Sequence, residues 1–148
     1  MDIYNKLKKA KSKETSENEL KELLENECDK VRQVAISNIN FTEMTQIAIA
    51  CDIKTSEEIL RILADSHYFI VRNHVASHKK CPTEVIEKFF EKKDALMGVA
   101  SNPNTPTEII EELLNYDRGI YQGFISCNPS APPEILKQLS TNVDEDIR

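Results

Sequence analysis

Only three glycines and no tryptophan stand among the 148 residues, and with leucine, isoleucine and glutamate abundant the chain leans towards helix. No stretch approaches 18 consecutive apolar residues, so no spanning helix is expected. The opening MDIYNKLKKAKSKETSENE lacks the apolar centre of a secretion signal. Cys28, Cys51, Cys81 and Cys127 are scattered without a Cys-x-x-Cys pair, and are expected as reduced thiols in the cytoplasm. Gly-x-Gly-x-x-Gly, Gly-Lys-Ser/Thr, His-Glu-x-x-His, Gly-x-Ser-x-Gly and EF-hand loops are all missing. Phosphate-loop, zincin, hydrolase and calcium-loop chemistry therefore lack support, and the expectation is a chain that is not an enzyme and has no cofactor.

What is present is ordinary for a folded chain. Hydrophobic content of 40% against 30% charge argues against wholesale disorder. The length suits one domain or one compact array able to bury about two-thirds of its unfolded surface. A net charge of −6 argues against non-specific binding to nucleic acid or an anionic membrane.

The strongest signal is internal repetition. SNPNTPTEIIEELL at 101–114 is answered by CNPSAPPEILKQLS at 127–140. Aligned on this phrase, Thr55-Ser56-Glu57-Glu58, Cys81-Pro82-Thr83-Glu84, Thr105-Pro106-Thr107-Glu108 and Ala131-Pro132-Pro133-Glu134 are successive copies, stepping by 26, 24 and 26 residues. A second anchor keeps the same steps: Ile49-Ala50-Cys51-Asp52, Val75-Ala76-Ser77-His78, Val99-Ala100-Ser101-Asn102 and Ile125-Ser126-Cys127-Asn128. Towards the N-terminus, Thr15-Ser16 and Phe41-Thr42 extend the series, but Ser37 precedes Cys51 by only 14 residues. One repeat has lost about ten residues, which predicts a single short helix over 42–51 serving two roles.

Each phrase reads as punctuation. Thr105 is placed to cap a helix, Pro106 to open it and Glu108 to complete a capping box. Thr55 with Glu58 and Ser16 with Glu19 offer the same device, whereas Cys81 and Ala131 lack the hydroxyl, at about 1 kcal/mol each. Apolar pairs four apart follow, such as Ile109-Ile110 with Leu113-Leu114 and Val85-Ile86 with Phe89-Phe90, giving one broad stripe per helix. A helix of about ten residues needs neighbours to cover such a stripe, and stacked copies supply them. Shorter segments at 70–78, 94–102 and 120–128 follow, with small residues where backbones would pack, and Asn-Pro at 102–103 and 128–129 ends two of them.

The pattern Val71-Arg72, Val75-Ala76-Ser77, Ser101-Asn102-Pro103, Thr105-Pro106 and Glu108, with its copies, resembles the leucine-rich repeat variant family over about residues 15–148. The resemblance implies alternating α- and 3₁₀-helices wound into a right-handed superhelix without strands, and no general enzymatic activity. His78-Lys79 in place of Asn-Pro and the 14-residue step depart from the family pattern, and the cysteine-rich iron–sulfur segment of some members is not supported here.

Candidate sites are few. His74, His78 and Cys81 have metal-like spacing, but His78 sits in the turn slot of Asn38, Asp52, Asn102 and Asn128, which favours a structural role and no metal site. Cys51 and Cys127 replace the serine of the second anchor and are expected as inert packed residues. Arg32, Arg72, Gln122 and Arg148 share one repeat position, Leu96 being the exception, with Lys79, Lys80, Lys92 and Lys93 in adjoining turns. Stacking would make of Arg32, Arg72, Lys79, Lys80 and Gln122 a binding ridge for acidic peptide or phosphate groups, unless these cations pair with acidic residues of the next repeat.

The expected fold is an all-α, right-handed α-helical solenoid of about five irregular repeats of 24–26 residues, one helical-repeat domain over 1–148. Residues 1–14 would form an N-terminal cap using Ile3, Leu7 and Ala10, and 15–148 the repeats. Ile147-Arg148 falls where Val71-Arg72 stands, so the last repeat reads as incomplete, either because the array continues or because a partner covers that end. The function expected is a non-catalytic protein–protein interaction scaffold with a protein partner and no membrane. The alternative is a nucleic-acid-binding or base-processing helical-repeat protein using the basic ridge.

Overall fold

The computed structural model describes residues 2–26, 28–38 and 40–146. Among them every regular element is helical: α1 Ile3–Lys11, α2 Glu17–Leu24, α3 Asp29–Ile36, α4 Glu43–Cys51, α5 Glu57–Leu63, α6 Phe69–Ser77, α7 Thr83–Glu91, α8 Leu96–Ser101, α9 Thr107–Asn115, α10 Gln122–Ser126 and α11 Pro133–Asp146. A single described 3₁₀ segment, Tyr116–Gly119, connects α9 to α10. The short second segments of the repeats are thus α-helical, not 3₁₀, with bonds such as Val99 N–H to the Ala95 carbonyl at 3.1 Å. The helix expected over 42–51 is α4.

The chain divides into two compact units, residues 1–72 and 73–148. In the first, α3 packs against α1, α2 and α5. Leu20, Leu23, Leu24, Val31, Leu60 and Leu63 fill its core. In the second, α8 packs against α7 and α10, and α10 also meets α9 and α11. Ile86, Phe89, Val99, Ile110, Leu113 and Ile125 are buried there, so the paired apolar positions do form the inner stripes. Burying one such side chain contributes about 1.5–3 kcal/mol, which is what holds helices of five to nine residues that would not form alone. At the N-terminus Asp2 caps α1, Ala10 is buried, Leu7 is half-buried and Ile3 is exposed, so the terminal helix covers the core with only part of the stripe expected of it. At the other end α11 runs on as far as Asp146, and Ile147-Arg148 lies outside the described residues.

The turns between helices carry a pattern the sequence only hinted at. Asn38, Asn102 and Asn128 are buried, and each side-chain amide reaches back one whole repeat. Asn38 Nδ2 donates to the carbonyls of Ala10 and Ser12, at 2.7 and 2.9 Å. Asn102 Nδ2 donates to Ala76 and His78, and Asn128 Nδ2 to Ala100 and Asn102. In each case Oδ1 accepts from the backbone N–H two residues on, Asn40, Asn104 or Ser130. Asparagine alone among neutral side chains of this size offers two N–H donors and an acceptor, so it satisfies two helix-end carbonyls while closing its own turn. His78 occupies the same slot, with Nδ1 accepting from Lys80 N–H at 3.0 Å.

The helix starts correct one expectation. Thr105 does not cap α9: its hydroxyl donates backwards to the Val99 carbonyl, as Thr15 does to Lys9 and Thr55 to Ile49. The N-cap is the next residue, Pro106 for α9 and Ser56 for α5, where Ser56 Oγ accepts from Ile59 N–H. Only Ser16 with Glu19 makes the expected capping box among the described starts. The Thr slot closes the helix before it, because an end carbonyl six residues back lies within hydroxyl reach. Cys81 and Ala131 in that slot therefore lack no cap.

Candidate functional site

The repeat that lost ten residues shapes the first unit. Where other repeats place two helices between turns, this one places α4 alone between the turns of Asn38 and Asp52. Beside this contraction a cleft of about 810 Å³ opens between the C-terminal end of α3, the start of α4, α5 and the 65–68 turn. Its buried lining is mixed, with Ile36 and Phe41 beside Asn38, Gln46 and Ser66, and Ile62 is half-buried. Glu58, Arg61, Asp65 and His67 stand exposed at the rim.

A buried polar network sets the wall. Gln46 Nε2 donates to the Phe41 carbonyl at 3.3 Å, and its Oε1 accepts from Ser66 Oγ at 2.7 Å. Ser66 Oγ accepts in turn from Tyr68 N–H at 3.3 Å. The Ser66 carbonyl takes a 2.8 Å bond from Arg72 Nη1. One serine thus ties α4 to the turn that presents His67 and Tyr68, whose rings lie 3.8 Å apart between centroids. Inside a protein such a network holds its geometry because leaving any member unpaired is costly.

Electrostatically the rim carries both signs of charge. Arg61 Nη2 pairs with Glu57, one turn away on α5, at 3.2 Å. Glu58 is held below the usual carboxylate range, first by its own backbone N–H, then by the Ser56 hydroxyl and by the charges of Arg61 and Arg32. It is therefore an anion at neutral pH.

The basic ridge residues have other engagements. Arg32 Nη1 donates to the Asn26 carbonyl and Arg72 Nη1 to that of Ser66, each six residues upstream. Gln122 Nε2 reaches Leu114, eight upstream, because the 3₁₀ segment lengthens that connection. At this repeat position the side chain braces the turn that precedes its own helix. Lys79 and Lys80 are exposed in the turn between α6 and α7. Lys93 lies over the Phe90 ring at 3.9 Å and near that of Tyr116 at 5.3 Å. Arg148 lies outside the described residues.

Among the described residues no three His, Cys, Asp or Glu side chains converge as metal ligands. Cys51 and Cys127 are exposed, a correction to the packed role expected of them. The tightly packed position is one earlier, where Ala50, Ala76 and Ala100 are buried. No described helix is long and apolar enough to cross a membrane.

Sequence reasoning missed the cleft, Gln46 and the asparagine rungs. A signal for the rungs existed: Asn102 and Asn128 recur at the repeat step, and Asn38 stands in the same slot. No protein-family model, curated protein or solved structure matches this chain.

Proposed function

We propose that this chain is a non-catalytic protein-interaction scaffold, a helical-repeat solenoid of the leucine-rich repeat variant kind, that holds a peptide segment of its partner in the cleft of the first unit. The cleft carries the reading. Its volume of about 810 Å³ lies within the usual range of about 300–1,000 Å³ for ligand sites. Apolar surface from Ile36, Phe41 and Ile62 can take an anchor side chain, and the polar lining around it can meet a peptide backbone. The Gln46–Ser66 bond supports a wall formed before binding, which reduces the ordering cost of association. Asparagine rungs at repeat spacing support the solenoid part of the proposal.

The test is an amide-resolved NMR titration of the full chain with pooled twelve-residue peptides. Shifts clustered at 33–41 and 58–68, lost in Tyr68→Ala, are expected. Pools that move no resonance, or move only those of the second unit, would overturn it.

A further inference from the structure

Resting on that reading, we infer that the partner segment is acidic beside its apolar anchor: the anchor sits in the cleft, and flanking carboxylates reach a basic groove on the other side of α3. A groove of about 480 Å³ adjoins the cleft there, and Gln33, Ser37 and Asn38 line both hollows. Gln33 and Ser37 are exposed one turn apart on α3 and form the ridge between them, with Ile36 on the cleft side and Val34 on the groove side. An extended peptide advances about 3.3 Å per residue, so about three residues carry it across a helix about 10 Å wide. The amide of Gln33 and the hydroxyl of Ser37 offer its backbone hydrogen bonds on the way.

The charge of the groove is of one sign. Lys11 and Lys13 are exposed on its wall, and among the described residues no carboxylate lines it. Lys30 stands exposed one turn before Val34 on the same face of α3. The nearby acids are placed elsewhere. Asp2 caps the far end of α1, accepting from Asn5 N–H at 2.8 Å. Glu14 and Glu19 line a separate hollow with Lys8 and Lys9, where Glu19 pairs with Lys9 at 2.9 Å. Over residues 2–13 five lysines stand against Asp2 alone. The dipole of α1 accounts for lysine in its last turn but not for Lys13, beyond the helix end. The cleft itself selects neither sign, since Arg61 shares its rim with Glu58 and Asp65, and the charge of Arg32 acts on Glu58. Selection by charge therefore falls to the lysine groove.

The test uses fluorescence anisotropy with three labelled peptides of equal length, each with one leucine anchor flanked three residues away on both sides by a Glu-Glu, Gln-Gln or Lys-Lys pair. The receptor is the full chain, as wild type, Lys11→Gln/Lys13→Gln and Lys11→Glu/Lys13→Glu, with folding checked by circular dichroism. The Glu-Glu peptide should bind tightest, and weaken up to about fivefold per lysine neutralised and further with added salt. Reversing both lysine charges should turn the preference to Lys-Lys. Gln-Gln or Lys-Lys peptides binding wild type as tightly as Glu-Glu, or a Glu-Glu preference unchanged in both lysine variants, at a site Tyr68→Ala destroys, would overturn this inference while leaving peptide binding intact. So would release of the Glu-Glu peptide by equimolar duplex DNA at physiological salt, which would assign the lysines to a phosphate backbone. Should none of the three bind, peptide binding itself falls, and the acidic flank with it.

Discussion

Replacing Asn102 tests whether the asparagine slots hold neighbouring repeats together. Asn102 is completely buried and makes three bonds: Nδ2 to the carbonyls of Ala76 and His78, and Oδ1 from Asn104 N–H at 2.7 Å. Asn102→Ala removes all three and strands two carbonyls of the preceding repeat. At about 1 kcal/mol per bond, plus part of the penalty for buried groups left without partners, the expected loss is about 3–5 kcal/mol. Asn102→Asp keeps the shape and the bond from Asn104 but turns a carboxylate towards two carbonyl oxygens.

The two variants separate by pH. In the folded Asn102→Asp protein, burial and facing carbonyls raise the carboxyl above its unfolded value of about 3.9. Below that value both states are protonated and no charge penalty exists. As pH rises the unfolded state ionises first, and the variant loses about 1.4 kcal/mol per unit until the folded group also ionises. Urea unfolding followed by circular dichroism at pH 4 and 7.5, each against wild type, should show a cost that grows with pH for Asn102→Asp and stays flat for Asn102→Ala. An Asn102→Ala cost below about 1 kcal/mol, or equal Asn102→Asp costs at the two pH values, would refute the reasoning. The chain offers its own control: Asp52 fills this slot where the slot is exposed, and accepts from Lys54 N–H at 2.9 Å.

Four further outcomes follow from the structure. A Cβ at Gly98 would run into the Asn73 carbonyl and sit 2.7 Å from Ala76 Cβ, so Gly98→Ala should cost about 1–3 kcal/mol. At Gly123, inside α10, nothing lies within 4 Å, so Gly123→Ala should raise the melting temperature through a gain of about 0.5–1 kcal/mol. Thr105→Val should cost about 0.5–1.5 kcal/mol and speed hydrogen exchange at the end of α8 while leaving the start of α9 protected, the reverse of a lost N-cap. Glu19 is pulled down to about 2 by Lys9, then by the Ser16 backbone and hydroxyl. Its contribution is present above its ordinary value of 4.5 and fades as pH falls through 2, so the stability gap between wild type and Glu19→Gln should close over that window.

The repeat register was legible because it needs only composition at fixed spacing. Paired apolar positions mark the buried stripe whichever neighbour covers it, and Leu113 and Leu114 are buried as their spacing implies. Cap assignment held at Ser16 and missed by one residue at Thr55 and Thr105, for a definite reason. In Thr15-Ser16 and Thr55-Ser56 two hydroxyls stand side by side, and only the backbone path shows that the first bonds backwards and the second forwards. Exposure of Cys51 and Cys127 was hidden likewise, since a slot holding Ser in three copies reads equally as packed or open. The cleft depends on α3 and α5 coming together across more than twenty residues, which local pattern cannot state. The 14-residue step did mark where the regular array had to break.

The rungs have a physical origin in the shortness of the helices. Every short helix ends in carbonyls that need donors, and frequent helix ends multiply the demand. This chain meets it with side chains: threonine hydroxyls serve the same repeat, and asparagine amides serve the previous one. Because an amide rung fits only when two repeats stand in one register, it specifies how copies pair while it stabilises them, which apolar stripes alone do loosely. The asparagine rungs all lie within one unit or the other, and the division at residues 72 and 73 falls between Asp52 and His78, the two slots without an amide. A neutral imidazole offers one N–H where asparagine offers two, and a carboxylate offers none. Where the amides stop, the sequence also drops its ten residues, and the cleft opens beside that irregular stretch. The feature proposed to bind is thus found where the polar code of the repeat is relaxed.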